Sequence, residues 1–314
     1  MSPVFDALLR AESERHGVDL SDVSSAIQLL QLAEHKSIDS QGSQPLHLAG
    51  EADSIKITGT ADVILSANAG RVDPFSQFQP LAISISPQSR LVCLTDSDSL
   101  ADERFRYLGV RLQQIRKGRQ LRTLLITSTI PEEGKSMVAA NLACTLARKP
   151  NQKVLILDGD LRRPSITAAF GLGNIPGMYE LLQNKRDLMA SIYQLDEAGV
   201  WILPAGNVGR NPLELLQSAR LSALIDQLNS WFDWVILDSP PLLTLADTVV
   251  WARLADGVLL VTRKGTTEKR LLNKCLESLD KKKLIGALLN SSQNPNRYEH
   301  YYHYRPSTTD SRQS

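Results

Sequence analysis

A glycine, a lysine and a serine stand in succession at Gly134-Lys135-Ser136, directly before a stretch typical of a helix. The apolar run 123–127 precedes them, so the order is strand, loop, helix. In such a loop, backbone N–H groups and the positive end of the helix dipole bind phosphate oxygens. The lysine contacts the β- and γ-phosphates of a nucleotide, and the serine hydroxyl binds Mg²⁺. The residues predicted to contact ATP here are Pro131, Glu132, Glu133, Gly134, Lys135, Ser136 and Met137.

The loop departs from the general phosphate-binding pattern at Thr129, which stands where the pattern has its first glycine. A bare Gly-Lys-Ser also occurs at the start of ordinary helices, and the tripeptide alone does not decide between the two interpretations. The flanking strand and helix favour nucleotide binding, and acidic residues after two other apolar runs favour it further.

Three aspartates stand at the ends of these two runs. Asp158 and Asp160 follow the run 153–157, and Asp238 follows the run 234–237. An isolated aspartate at a strand end more often caps a helix or forms a turn. Carboxyl ends of neighbouring parallel strands meet at one sheet edge, however, so the three are expected to converge beside the phosphate-binding loop. The predicted Mg²⁺ ligands are Ser136, Asp158, Asp160 and Asp238.

The elements that position these residues form a regular alternation from residue 90 onward. The apolar runs are rich in Val, Ile and Leu and do not alternate with polar residues, as in parallel strands buried on both faces. We therefore predict an α/β fold of the P-loop NTPase class, with a mostly parallel open sheet and helices on both faces. The predicted strands are 123–127, 153–157, 200–203, 234–237, 257–261 and 285–289, and helices are predicted to begin near Lys135, Pro212, Asp247 and Lys269.

The rest of the chain divides by composition. Residues 1–34 show helical periodicity and form a predicted N-terminal helical segment. Residues 35–89 are rich in Ser, Gln, Gly and Asp, which predicts a linker of low order. The phosphate-binding domain is predicted to span residues 90–295, and residues 296–314 form a tyrosine-rich tail.

Four of the seven tyrosines lie close together in this tail. Their flanking His and Glu residues leave no consistent buried face, so an accessible tail is favoured over aromatics packed on the domain. The four residues are Tyr298, Tyr301, Tyr302 and Tyr304.

Bulk properties limit the cellular context. The formal net charge of +1 gives no support for a nucleic-acid partner. The three cysteines are widely spaced and form no metal-ligand pattern, which indicates reduced thiols in the cytoplasm. No run approaches the roughly 18 apolar residues that a membrane span requires, and the N-terminus is not typical of a secretory signal.

The order of four motifs resembles the bacterial tyrosine kinase family of capsule and exopolysaccharide synthesis, over about residues 90–304. The motifs are Ser-x-x-Pro-x-Glu-Gly-Lys-Ser, Ile-Leu-Asp-x-Asp-x-Arg-x-Pro, Asn-Pro-x-Glu-Leu-Leu and Val-Ile-Leu-Asp-Ser-Pro-Pro. The resemblance implies a stand-alone autokinase that uses ATP and Mg²⁺ and phosphorylates its own tyrosine tail.

The resemblance also implies roles for single residues. Asp160 or Asp158 would activate the acceptor tyrosine, whose hydroxyl has an ordinary pKa of about 10. Asn290, at the end of the last strand, would recognise the adenine edge. The implied catalytic residues are Lys135, Asp158, Asp160 and Asp238.

Family membership further implies partners. These are other copies of the chain in a ring-like oligomer, a tyrosine phosphatase, and a separate membrane activator of the polysaccharide co-polymerase type that recruits the kinase to the inner membrane face. The family's interface motif, Glu-x-x-Arg-x-x-Arg, is matched at Glu103 and Arg106 but has Gly109 at its third position.

Two other functions compete with the kinase. A MinD/ParA-type switch ATPase would carry an extra lysine five positions before Lys135, where this chain has Ile130. An ATP-dependent scaffold of polysaccharide export is the second alternative. ATP hydrolysis without tyrosine phosphorylation would favour either of them.

Overall fold

The apolar runs of the sequence form strands of one sheet in the computed structural model, which describes residues 74–86, 89–207, 209 and 212–290. All six predicted strands are present, with ends within one or two residues of the predicted ones. The strands are β1 (Gln79–Pro80), β2 (Thr123–Ser128), β3 (Val154–Asp158), β4 (Tyr193–Leu195), β5 (Val200–Leu203), β6 (Trp234–Asp238), β7 (Gly257–Arg263) and β8 (Leu284–Asn290).

Helices occupy the connections between most strands, and four of them begin at the predicted residues. Short 3₁₀ turns lie at Pro74–Gln77 and Asp196–Ala198. The helices are α1 (Val92–Thr95), α2 (Leu100–Gly118), α3 (Lys135–Ala147), α4 (Ile166–Ala169), α5 (Met178–Leu182), α6 (Leu188–Ser191), α7 (Pro212–Leu216), α8 (Ala219–Trp231), α9 (Asp247–Leu254) and α10 (Lys269–Ser278).

The sheet has the order β1-β4-β5-β3-β6-β2-β7-β8. Every pair of neighbours is parallel except β4 and β5. β2, β3 and β6 are buried along their whole length, because helices cover both faces. Ile126 belongs to the apolar cluster that includes α3, whereas its neighbour Leu125 belongs to the cluster that includes α8 and α9. The predicted fold class is confirmed.

Regular structure begins within the predicted linker 35–89, before residue 89. The 3₁₀ turn at Pro74–Gln77 leads into β1, which pairs with β4 at the edge of the sheet. The ring of Phe75 packs edge-on against Trp201 and Phe232, with centroids 5.0 and 5.3 Å away. Packing of these aromatic rings fixes a segment whose polar composition suggests low order.

Gly109, the residue that interrupts the interface motif, is buried on the inner face of α2. A Cβ atom at this position would lie 3.6 Å from Cδ2 of Leu146 in α3. The third motif position therefore faces the domain itself. The exposed face of α2 includes Glu103, Arg104 and the large side chains of Tyr107 and Val110, which are 68% and 54% exposed.

Candidate active site

The phosphate-binding loop joins β2 to α3 and needs a glycine at its end. Gly134 has a φ of 90°, in the left-handed region that favours glycine. A Cβ atom there would lie only 2.3 Å from Nδ2 of Asn290. Glu132 also has a positive φ, of 66°, which costs a residue with a side chain about 1–2 kcal/mol. The N-terminus of α3, with its free N–H groups, thus follows directly on this strained turn.

Glu133 holds the loop through its side chain. Its carboxylate is fully buried and accepts a hydrogen bond from the Ile130 N–H at 2.9 Å and another from the Thr267 hydroxyl. The backbone carbonyl of Glu133 accepts a hydrogen bond from the Asn290 amide at 2.9 Å. The predicted phosphate contact at residue 133 would therefore come from its backbone. The role of Asn290 in adenine recognition stays a prediction, since its amide braces the loop.

Lys135 lies between the predicted acidic residues. Its Nζ is 3.0 Å from Oδ2 of Asp160 and 3.5 Å from Oδ1 of Asp238. The same ammonium donates a hydrogen bond to Oγ of Ser136 at 3.1 Å. Asp158 pairs in register with Asp238 across β3 and β6. The structure thus brings together the loop, the lysine and all three aspartates.

Burial and proximity change the acidity of these groups. Burial, together with the nearby charge of Asp238, raises the pKa of Asp158 to about 7. Burial likewise raises the pKa of Asp238, although Lys135 opposes the change. Burial would lower the pKa of Lys135, but Asp238 and Asp160 outweigh it and raise that pKa. The ammonium therefore stays charged and partly neutralises a crowded acidic site.

The carboxylate oxygens differ in how they are satisfied. Oδ2 of Asp158 accepts hydrogen bonds from the N–H groups of Ser165 and Ile166, at 3.1 and 3.0 Å. Oδ1 of Asp158 and both oxygens of Asp238 are buried and accept no hydrogen bond from the described residues. Buried acceptors without partners are rare, and a cation is one explanation for them.

These oxygens fit a magnesium ion of the kind that nucleotides carry. Within the described part of the chain, no three His, Cys, Asp or Glu side chains form a ready cage for a metal. Mg²⁺ in nucleotide sites takes one or two carboxylates and fills its other positions with phosphates and water. The unpartnered oxygens of Asp238 beside the Ser136 hydroxyl suit that requirement.

Other predicted residues stand in simpler surroundings. Pro131 and Glu132 are exposed on the loop, and Met137 packs against the apolar cluster under α3. The predicted phosphoacceptors lie outside the described residues, as do the N-terminal helical segment 1–34 and most of the linker. Thr267 was not predicted, because a single threonine 134 residues from its partner gives no local signal.

Comparison with known proteins identifies relatives of this chain. A family model described as an AAA domain matches residues 132–283. The tyrosine-protein kinase YwqD of Bacillus subtilis is 35% identical over 218 residues, which cover 69% of this chain and 92% of YwqD. The kinase domain of the Escherichia coli tyrosine kinase ETK is 30% identical, with a TM-score of 0.62. That match covers 68% of this chain and 84% of the ETK chain.

A longer relative is named for polysaccharide synthesis. The succinoglycan biosynthesis transport protein ExoP of Rhizobium meliloti is 33% identical over 209 residues. The alignment covers 65% of this chain but only 26% of ExoP.

Among the helices that the structure describes, none combines the length and the apolar character needed to cross a membrane.

Proposed function

The chain belongs to the bacterial tyrosine kinase family, and we propose that it transfers the γ-phosphate of ATP to tyrosines in its own C-terminal segment. Family membership makes it a protein-tyrosine kinase. The observation that carries the site assignment is the position of Lys135 between Asp160 and Asp238, at the start of a helix that follows a phosphate-binding loop.

The loop residues would hold ATP through their backbone. The N–H groups of residues 132–136 and the N-terminus of α3 would bind phosphate oxygens, and Lys135 would contact the β- and γ-phosphates. Ser136, Asp158, Asp160 and Asp238 are the residues that would hold Mg²⁺. The ion, when bound, neutralises negative charge on the phosphates.

Asp160 is the proposed acceptor of the tyrosine proton. Asp158 is fully buried and holds the start of α4, whereas the Asp160 side chain is 6% exposed at the edge of the site. Oδ2 of Asp160 contacts Lys135, so phosphate oxygens that attract the ammonium would free this oxygen, while Oδ1 still accepts a hydrogen bond from the Arg163 N–H at 3.0 Å. A carboxylate placed at a tyrosine hydroxyl removes its proton as the phosphoryl group is transferred.

The acceptors we propose are Tyr298, Tyr301, Tyr302 and Tyr304. Each phosphate adds a charge of about −1.5 to −2, which repels an acidic site. Transfer is proposed to occur in trans within a ring-like oligomer, and phosphorylation would then release the tail from the neighbouring protomer. Tyr298 lies only eight residues after Asn290 in the sequence, and the Asn290 amide braces the phosphate-binding loop.

A mixing experiment tests transfer and its direction. Full-length Lys135→Met, which keeps its tail, is incubated with an active variant whose four tail tyrosines are phenylalanine, together with labelled ATP and Mg²⁺. Label on the tail of Lys135→Met is expected. Label on wild-type protein but none in the mixture would contradict transfer in trans. No phosphotyrosine on the tail under any condition, with ATP still hydrolysed, would favour the MinD/ParA-type switch or the export scaffold.

The biological setting we propose is regulation of capsule or exopolysaccharide synthesis and export. The family and the name of ExoP support this proposal. A separate membrane activator would recruit the kinase from the cytoplasm to the inner face of the membrane, and a tyrosine phosphatase would reverse its phosphorylation. Stimulation of tail labelling by membranes that contain the polysaccharide co-polymerase partner is the expected result.

A further inference from the structure

One helix lies against both acidic segments of the site. α9 has three fully buried polar or aromatic residues close together in its first turns, Asp247, Thr248 and Trp251. Asp247 and Trp251 are four residues apart, so they share one face of the helix. Each of the three side chains forms a hydrogen bond with a segment that carries a predicted metal ligand.

Trp251 fixes the residue between the first two aspartates. Its indole N–H donates a hydrogen bond to the carbonyl of Gly159 at 3.1 Å. On its other side, the Gly159 N–H donates to the carbonyl of Asp238 at 2.8 Å. A Cβ atom at Gly159 would lie 2.7 Å from that carbonyl oxygen and 2.9 Å from Cε2 of Trp251. Gly159 is thus clamped between the third aspartate and the indole, with Asp158 and Asp160 on either side of it.

Asp247 fixes the far end of the same loop. Its two carboxylate oxygens accept hydrogen bonds from Nε and Nη2 of Arg162, at 2.8 and 3.1 Å. The hydrogen bond to Asp247 raises the pKa of Arg162. A bidentate pair with one buried partner restrains direction as well as distance. The loop from Asp158 to Arg162 is therefore held to α9 at two points.

Thr248 connects the same helix to the segment after Asp238. Its hydroxyl donates to the carbonyl of Pro240 at 2.8 Å. That carbonyl also accepts a hydrogen bond from the Thr127 hydroxyl near the end of β2, again at 2.8 Å. Through these contacts, α9 joins both acidic segments to the strand that leads into the phosphate-binding loop.

We propose that α9 is the positioning element for the magnesium site and that Trp251 and Asp247 are its positioning residues. Trp251 sets the spacing between Asp158, Asp160 and Asp238, and Asp247 fixes the orientation of the loop that carries the first two. This proposal rests on the proposed function, since it assigns these aspartates to Mg²⁺. Residues that orient metal ligands typically change metal affinity about 10–100-fold when they are replaced.

The test compares two tryptophans in the full-length chain. Trp251→Phe removes the indole N–H and keeps most of the apolar bulk. Trp234→Phe is the matched control, because Trp234 is equally buried and its indole N–H has no partner among the described residues. The affinity for fluorescent ADP is measured over a Mg²⁺ series and in EDTA, and thermal unfolding confirms that each variant is folded.

Trp251→Phe is expected to raise the Mg²⁺ concentration for half-saturation about tenfold. Its ADP affinity in EDTA should stay within about twofold of wild type, and Trp234→Phe should change neither value. An unchanged Mg²⁺ requirement in Trp251→Phe, or an equal change in both variants, would overturn the proposal. If wild-type protein bound ADP equally well with Mg²⁺ and in EDTA, the metal site itself would be wrong, and the proposed function with it.

Asp247→Asn provides a second variant in case Trp251→Phe does not fold. Asparagine keeps one acceptor for Arg162 and loses the charge, so a smaller rise of about threefold in the Mg²⁺ requirement is expected. A lower unfolding temperature without any change in Mg²⁺ requirement would identify Asp247 as merely structural and contradict its positioning role.

Discussion

Glu133 in the phosphate-binding loop and Asp238 at the end of β6 are both fully buried carboxylates, but their surroundings differ. Glu133 accepts hydrogen bonds from Ile130 and Thr267. Both oxygens of Asp238 lack a hydrogen-bond partner among the described residues and have only the Lys135 ammonium, at 3.5 Å, as a counter-charge. A satisfied buried carboxylate stabilises its loop, whereas an unsatisfied one costs stability and is kept for binding.

The largest effect is expected at the unsatisfied carboxylate. Asp238→Asn should lower the rate of tail phosphorylation about 10³-fold, which corresponds to about 4 kcal/mol of transition-state stabilisation. The unfolding temperature measured in EDTA should change little, because loss of the ion pair with Lys135 at 3.5 Å is offset by removal of a buried charge. Single-turnover labelling measures the rate of tail phosphorylation, and thermal unfolding measures the stability. Activity within tenfold of wild type would show that Asp238 is not part of the site.

The satisfied carboxylate should behave in the opposite way. Glu133→Ala leaves the Ile130 N–H without its partner, so the free energy of unfolding should fall by about 2–3 kcal/mol. Urea denaturation in EDTA measures this loss. Thr267→Val removes the other partner of Glu133 together with the contacts of that hydroxyl to Thr262 and Arg263, so a loss of stability is expected there as well. If Glu133→Ala were as stable as wild type, the Glu133 carboxylate would not stabilise the loop, and the proposed difference from Asp238 would be contradicted.

A pH dependence sharpens the comparison. The pKa of Asp158 is raised to about 7 in the folded chain, from 3.8 when the group is exposed. The folded state therefore holds this proton more tightly, and the stability it contributes is complete below pH 4 and is lost as pH rises toward 7. Relative to Asp158→Asn, wild-type protein in EDTA should lose on the order of 2 kcal/mol between pH 5 and pH 8. Parallel stability curves for the two proteins would contradict the raised pKa.

The smallest effect is expected at the strained turn of the loop. Glu132 has a φ of 66°, which glycine adopts freely and β-branched residues adopt at a cost. Glu132→Gly should exceed Glu132→Val in free energy of unfolding by about 1–2 kcal/mol. Chemical denaturation of the two variants measures this difference directly. Equal stabilities would mean that the turn relaxes without strain.

Local patterns in the sequence indicated the loop, the lysine and the aspartates that the structure brings together. Buried strands give continuous apolar runs, and the phosphate-binding loop and the strand-end aspartates follow directly on such runs. The residues that brace them could not be found in this way. Trp251 contacts Gly159 across 92 residues, and an indole hydrogen bond of that kind has no local signature.

The sheet edge escaped prediction for a related reason. β1 has only two residues and no periodicity, and its place depends on the packing of Phe75 and Phe78 against rings from β5 and α8. The low order predicted from the average composition of this polar region does not hold for β1, because tertiary packing decides whether such a short strand forms.

Phosphotyrosine mapping of the full-length chain tests the central claim most directly. Wild-type protein incubated with ATP and Mg²⁺ should carry phosphate on tyrosines within residues 298–304. Lys135→Met should carry none, although it unfolds at the same temperature as wild type. Equal tail phosphorylation in both proteins, or ATP hydrolysis by wild type without any phosphotyrosine, would contradict the account.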